Sequence, residues 1–132
     1  MKISKNQWDA LEKASEASFV DRLLDYIREQ PNCYPPALSD EQLREMVKNG
    51  IQKARQYELT QEYSISMFVG LMFKVAPNFD EYPPIHSCLK TKDVPPNERI
   101  QLLLDTIEDR QWQQALASYD PAAWGIGNLE AF

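Results

Sequence analysis

Leu43, Met46, Val47, Gly50, Ile51, Ala54 and Tyr57 recur at intervals of three and four, the period of one buried face of an α-helix. Ser39 followed by Gln42 has capping-box spacing ahead of this stripe, and Asp40 and Glu41 suit the positive end of the helix dipole. Gly50 and Ala54 lie one turn apart on the apolar face. A helical glycine costs about 1 kcal/mol against alanine, so close approach of a neighbouring backbone is the expected reason for Gly50. Residues 61–76 behave differently. Tyr63, Ile65, Met67, Phe68, Val69, Leu71, Met72, Phe73 and Val75 leave that helix apolar nearly all round, so other helices should wrap it. Thr60 is the candidate N-cap, which leaves only Glu58-Leu59 as a corner and makes the two helices neighbours in space.

The flanking segments repeat the helical pattern with proline punctuation. Ser4 and Gln7 form another capping-box match, followed by Trp8, Leu11 and Ala14. Ser15 and Ser18 are expected to break or bend this opening helix. Beyond them Phe19, Val20, Leu23, Leu24 and Ile27 point inward, with Asp21, Arg22, Asp25 and Arg28 outside. Pro31 stops the helix near Gln30. Downstream, Pro77 ends the central helix, Pro84 can sit at the first position of a short helix through Leu89, and Pro95-Pro96 opens one with Ile100, Leu103, Leu104 and Ile107 inward. A helix around Trp112, Ala115 and Leu116 follows, and Asp120-Pro121 marks a last short one through Trp124. No segment alternates apolar and polar residues for long. The reading is all-α: a compact bundle of about six helices around the apolar helix at 61–76.

Composition then narrows the setting. A chain of 132 residues with 43% hydrophobic and 26% charged residues is expected to form one domain spanning 1–132, large enough for a real core. The net charge of −6, with basic residues scattered among acids, argues against nucleic acid, which needs clustered phosphate-neutralising cations. The N-terminus has no apolar signal-peptide region, and the apolar run at 65–76 is too short for a bilayer and interrupted by Ser66, Gly70 and Lys74. Cys33 and Cys88 read as reduced thiols. The expected address is the cytoplasm, without a membrane.

Candidate chemistry is sparse. His86 is the single histidine, and the adjacent Ser87 and Cys88 lack a nucleophile-elbow pattern. Cys33, His86 and Cys88 fall one ligand short of a structural zinc site. Asp40-Glu41 and Glu108-Asp109 are explained by helix ends, while Asp80-Glu81, between Phe79 and Tyr82, reads as a loop-shaping pair with Asp80 capping or holding a backbone amide. Gly125-Ile126-Gly127 lacks the strand, glycine and lysine of a phosphate loop. No catalytic residue, cofactor or metal is predicted. For protein binding, the tail at 125–132 is the stronger candidate: Trp124, Leu129 and Phe132 either fold back onto the core or dock into a partner. Tyr34 and Tyr82, each followed by two prolines, offer rigid aromatic loops that either bind or lid the core.

Gly50-Ile51-x-x-Ala54-x-x-Tyr57-x-Leu59, then Phe68-Val69, then Pro77-Asn78-Phe79-Asp80-x-x-Pro83 resembles a family of small bacterial proteins encoded beside spike and toxin genes of the type VI secretion system. The likeness covers residues 43–89, and a Trp-bearing helix such as that at Trp112 also fits. It implies a non-enzymatic co-adaptor or chaperone that helps an effector load onto the spike, with an effector, adaptor or spike protein as partner. Gly50, Ala54, Tyr57, Phe79 and Asp80 carry over as positions that shape the fold. Two alternatives stay open: an immunity protein neutralising a cognate toxin, and a small enzyme using His86 or Asp80/Glu81.

Overall fold

The structure, a computed structural model, describes residues 5–30 and 38–126, with backbone alone at residues 5 and 8–14. Six α-helices follow in order: α1 (Lys5–Glu29), α2 (Asp40–Gln56), α3 (Glu62–Lys74), α4 (Pro83–Lys90), α5 (Arg99–Thr106) and α6 (Asp109–Ala117). Short 3-10 turns at Phe79–Glu81, Pro96–Glu98 and Pro121–Trp124 join them. Among the described residues there is no strand, and no helix is long and apolar enough to cross a membrane. The all-α bundle of about six helices is therefore observed.

α2 forms as its sequence dictates. Ser39 Oγ accepts the Gln42 amide at 3.1 Å while Gln42 Oε1 accepts the Ser39 amide at 2.9 Å. Leu43, Met46, Val47, Gly50, Ile51 and Ala54 are buried along one face. Glu58 turns the corner with φ 69°, the left-handed region usually left to glycine, and drives Leu59 into the core. α3 then runs back along α2, its most extensive packing partner. Gly50 makes this approach close, though against side chains and not backbone. A Cβ there would come within 3.1 Å of both Met72 Sδ and Val69 Cγ2.

Several expectations change. Leu104, expected inward on α5, is 38% exposed. α1 is unbroken from Lys5 to Glu29, because Ser15 and Ser18 both lie on its solvent face, where a serine needs no kink. Thr60 is not the cap of α3. The helix begins after Gln61 without a side-chain cap, and Asn97 instead ties down the two residues just ahead of it. Asn97 Oδ1 accepts the Thr60 and Gln61 amides at 3.0 Å each, its Nδ2 donates to Thr60 Oγ1, and Ser64 Oγ donates to its carbonyl. Nor is α3 wrapped all round. Ile65, Phe68, Val69, Leu71, Met72 and Phe73 are buried, but Tyr63 is 71% exposed, and Ser66, Met67 and Gly70 are half-buried along the same side. The expected capping at Ser4 lies outside the described residues.

The C-terminal half closes the core. Arg99 is buried, its Nη1 donating to the Leu89 carbonyl at the end of α4 and its Nε to the Val94 carbonyl, both at 3.1 Å. Glu108 and Gln111 cap α6 reciprocally, and Asp120 caps the last turn at the Ala122 amide. That turn lays Trp124 against Phe73 with ring centroids 4.6 Å apart.

Candidate functional site

Two features stand out, a buried polar cluster and an open apolar groove. The cluster forms because α2 carries Lys53 and Tyr57 one turn apart, facing the turn at Phe79–Glu81. Asp80 is 2% exposed there. Tyr57 Oη donates to Asp80 Oδ2 at 2.7 Å, and Lys53 Nζ lies 2.8 Å from Oδ1 while donating to the Pro77 carbonyl. Oδ1 accepts no well-directed hydrogen bond from a described residue, so the lysine charge is what compensates it. His86 Nδ1 sits 3.3 Å from Tyr57 Oη and 3.2 Å from the Asp80 carbonyl. With the tyrosine proton directed at Asp80, both atoms facing Nδ1 are acceptors, which assigns the imidazole proton to Nδ1.

These groups satisfy one another. Burial, then the hydrogen bond and charge of Asp80, hold the Tyr57 hydroxyl well above the ordinary tyrosine range, which opposes a phenolate role. Asp80 thus ties the segment ahead of α4 to α2 through side chains, where capping or a backbone amide was expected. Phe79, fully buried against Phe68 at 5.0 Å, anchors the same turn. Ala54 is buried beside them, so all five positions singled out as structural, Gly50, Ala54, Tyr57, Phe79 and Asp80, sit in the core. Cys88 Sγ lies 3.8 Å from Thr106 Oγ1, and Cys33 lies outside the described residues. Among the described residues, no three histidine, cysteine or carboxylate groups come together as a metal site would require.

The groove runs along the uncovered side of α3, with α1 as one wall and Leu104 of α5 on the other. It has a volume of about 470 Å³. Its floor is Met67, Gly70 and Leu71, and α1 contributes Phe19, Leu23 and Tyr26. Among the described residues four large hydrophobic side chains are exposed, and Tyr26 (47%), Tyr63 (71%) and Leu104 (38%) all line this groove. Leu116, on α6, is the fourth. At one end Arg22 makes paired hydrogen bonds of 3.1 and 3.2 Å to Glu62, joining α1 to α3. Toward the other end stands Lys74, exposed and without an ion-pair partner among the described residues.

Compared with known protein families, curated proteins and solved structures, the chain matches none. The functional reading therefore rests on the site itself and on the motif likeness.

The residues expected to bind a partner fare differently. Trp124 is 1% exposed, with its Nε1 donating to Tyr119 Oη at 2.7 Å and its carbonyl accepting from Asn49 Nδ2 at 2.9 Å. It takes the fold-back alternative, not the docking one, because the indole fills the space beside Phe73. Tyr82 is half-buried and packs on the core, its hydroxyl donating to Gln114. Tyr34, Leu129 and Phe132 lie outside the described residues, as does the tail beyond Ile126. The groove aromatics were missed. A signal existed: Tyr26 stands among the charged outer residues of α1, and Tyr63, Met67, Gly70 and Lys74 form a helical stripe of their own.

Proposed function

We propose that this chain is a protein-binding accessory without catalytic chemistry, an adaptor or chaperone that acts in the cytoplasm to help load a type VI secretion effector onto its spike. The observation that carries the protein-binding part is the groove, where three exposed large apolar side chains surround the uncovered side of α3. Tyrosine and methionine, both enriched at protein-recognition surfaces, supply large apolar contact area around this cleft. A groove floored by one helix and walled by two others suits an amphipathic helix of the partner. The secretion setting rests on the motif likeness over residues 43–89.

Co-expression of the chain with the products of its neighbouring genes, followed by affinity capture, tests this reading. An adaptor retains an effector, adaptor or spike protein and alters its export while leaving its toxicity unchanged. Rescue of cells from one toxin, without an effect on export, would instead identify an immunity protein. Capture of no such component contradicts both.

A further inference from the structure

We infer that the groove takes an amphipathic helix with acidic residues in its first turn. That helix lies antiparallel to α3, its acids over Lys74 and a large apolar side chain above Gly70. The inference rests on the reading of the groove as a protein-docking face and names the chemistry of the segment that docks there.

Charge supplies the orientation. The chain carries a net charge of −6, yet the charged groups lining the groove are two cations, Arg22 and Lys74, and one acid, Glu62. Arg22 holds both carboxylate oxygens of Glu62, so that end of the groove is neutral and already satisfied. Lys74 is exposed in the last turn of α3 and has no ion-pair partner among the described residues. It is therefore the charge of the lining left for a partner to meet. An acid opposite it belongs in the first turn of the incoming helix, where a carboxylate also stabilises that helix through its own dipole. A parallel occupant brings its last turn to Lys74, where a carboxylate opposes the dipole.

Space supplies the anchor. A Cβ built at Gly70 meets nothing within 4 Å, so the floor has an opening one turn before Lys74. From Tyr63 to Lys74 the floor rises about 16 Å, three turns of helix. In an antiparallel occupant, apolar residues one and two turns after the acid fall above Gly70 and then Met67. Tyr26 of α1 and Leu104 of α5, both exposed at the walls, close on its flanks.

Selection from a displayed library of short helical peptides on the immobilised full chain tests this chemistry. Wild type is expected to enrich helices with Asp or Glu in the first turn and large apolar residues one and two turns later. Lys74→Glu is expected to enrich Lys or Arg at the acidic position instead. A peptide selected on wild type, followed by fluorescence anisotropy, should bind Lys74→Glu roughly fivefold more weakly. Gly70→Gln fills the opening and should weaken the same peptide roughly tenfold. Replacing a helical glycine that faces open space leaves the fold intact, as thermal melting of the variant would confirm. No enrichment, acids enriched in the last turn, or a charge preference that Lys74→Glu fails to reverse overturns the inference. So does a selected peptide that Gly70→Gln binds like wild type. If the inference falls while a co-expressed secretion protein is still captured, the adaptor reading stands. Selected helices of the expected kind, with no secretion protein captured, support the docking chemistry and remove the adaptor.

Discussion

Asp80 is the residue on which the middle of the chain depends. Its carboxylate is buried between Lys53 of α2 and Tyr57 at the C-cap of that helix, so losing either Lys53 or Asp80 leaves the other charge without compensation. Asp80→Ala is expected to cost about 3–5 kcal/mol, the usual penalty for stranding one member of a buried pair, read from urea unfolding. Tyr57 adds a pH signature. Its folded-state pKa lies above the ordinary tyrosine value of 10.0, so near and above that pH the unfolded chain releases a proton that the folded chain retains. Stability is therefore full below pH 10 and falls as pH rises beyond it, by at most about 1.4 kcal/mol per pH unit for this group. Tyr57→Phe should flatten that alkaline loss, measured as the urea midpoint on either side of pH 10. The buried position of Tyr57 was readable in the sequence from the apolar stripe that runs from Leu43. The pairing of Asp80 with Lys53 and Tyr57 was not, because these contacts join residues far apart in the chain and no local pattern announces them.

At the scale of elements, local rules accounted for several helix starts. Capping boxes at Ser39/Gln42 and Glu108/Gln111, and the Asp120-Pro121 start of the last turn, are all set by neighbours three residues away or fewer. Where the reading failed, at Thr60, a distant residue had intervened: Asn97 binds the Thr60 and Gln61 amides just ahead of α3. Between the two alternatives for Trp124, packing on Phe73 selects fold-back. The two glycines of the α2–α3 pair provide a direct test of helix environment. Gly70→Ala meets open space and should stabilise the chain by up to about 1 kcal/mol through helix propensity alone. Gly50→Leu pushes into Met72 and Val69 and should destabilise it by about 1–3 kcal/mol. Chemical denaturation of both variants in parallel checks the sign of each. Equal effects would contradict the packing described here.

For the whole molecule, hydrophobic periodicity was enough to specify an all-helical bundle and to place its core stripes. It overestimated how completely α3 is enclosed, because counting apolar residues does not reveal how many neighbouring helices are available to cover them. α1, α2 and α5 all contact α3 yet leave the side carrying Tyr63, Met67 and Gly70 open. That uncovered side, and not the buried Trp124, is the surface the account assigns to partners. The most direct measurement compares capture of a co-expressed secretion partner by wild type, by Tyr63→Ser/Met67→Gln in the groove, and by Leu116→Ser on α6, with all three confirmed folded by circular dichroism. The account predicts that the groove variant loses affinity by about tenfold or more, as removal of central aromatic contacts does, while Leu116→Ser binds like wild type. A groove variant that retains its partner at wild-type affinity would contradict it.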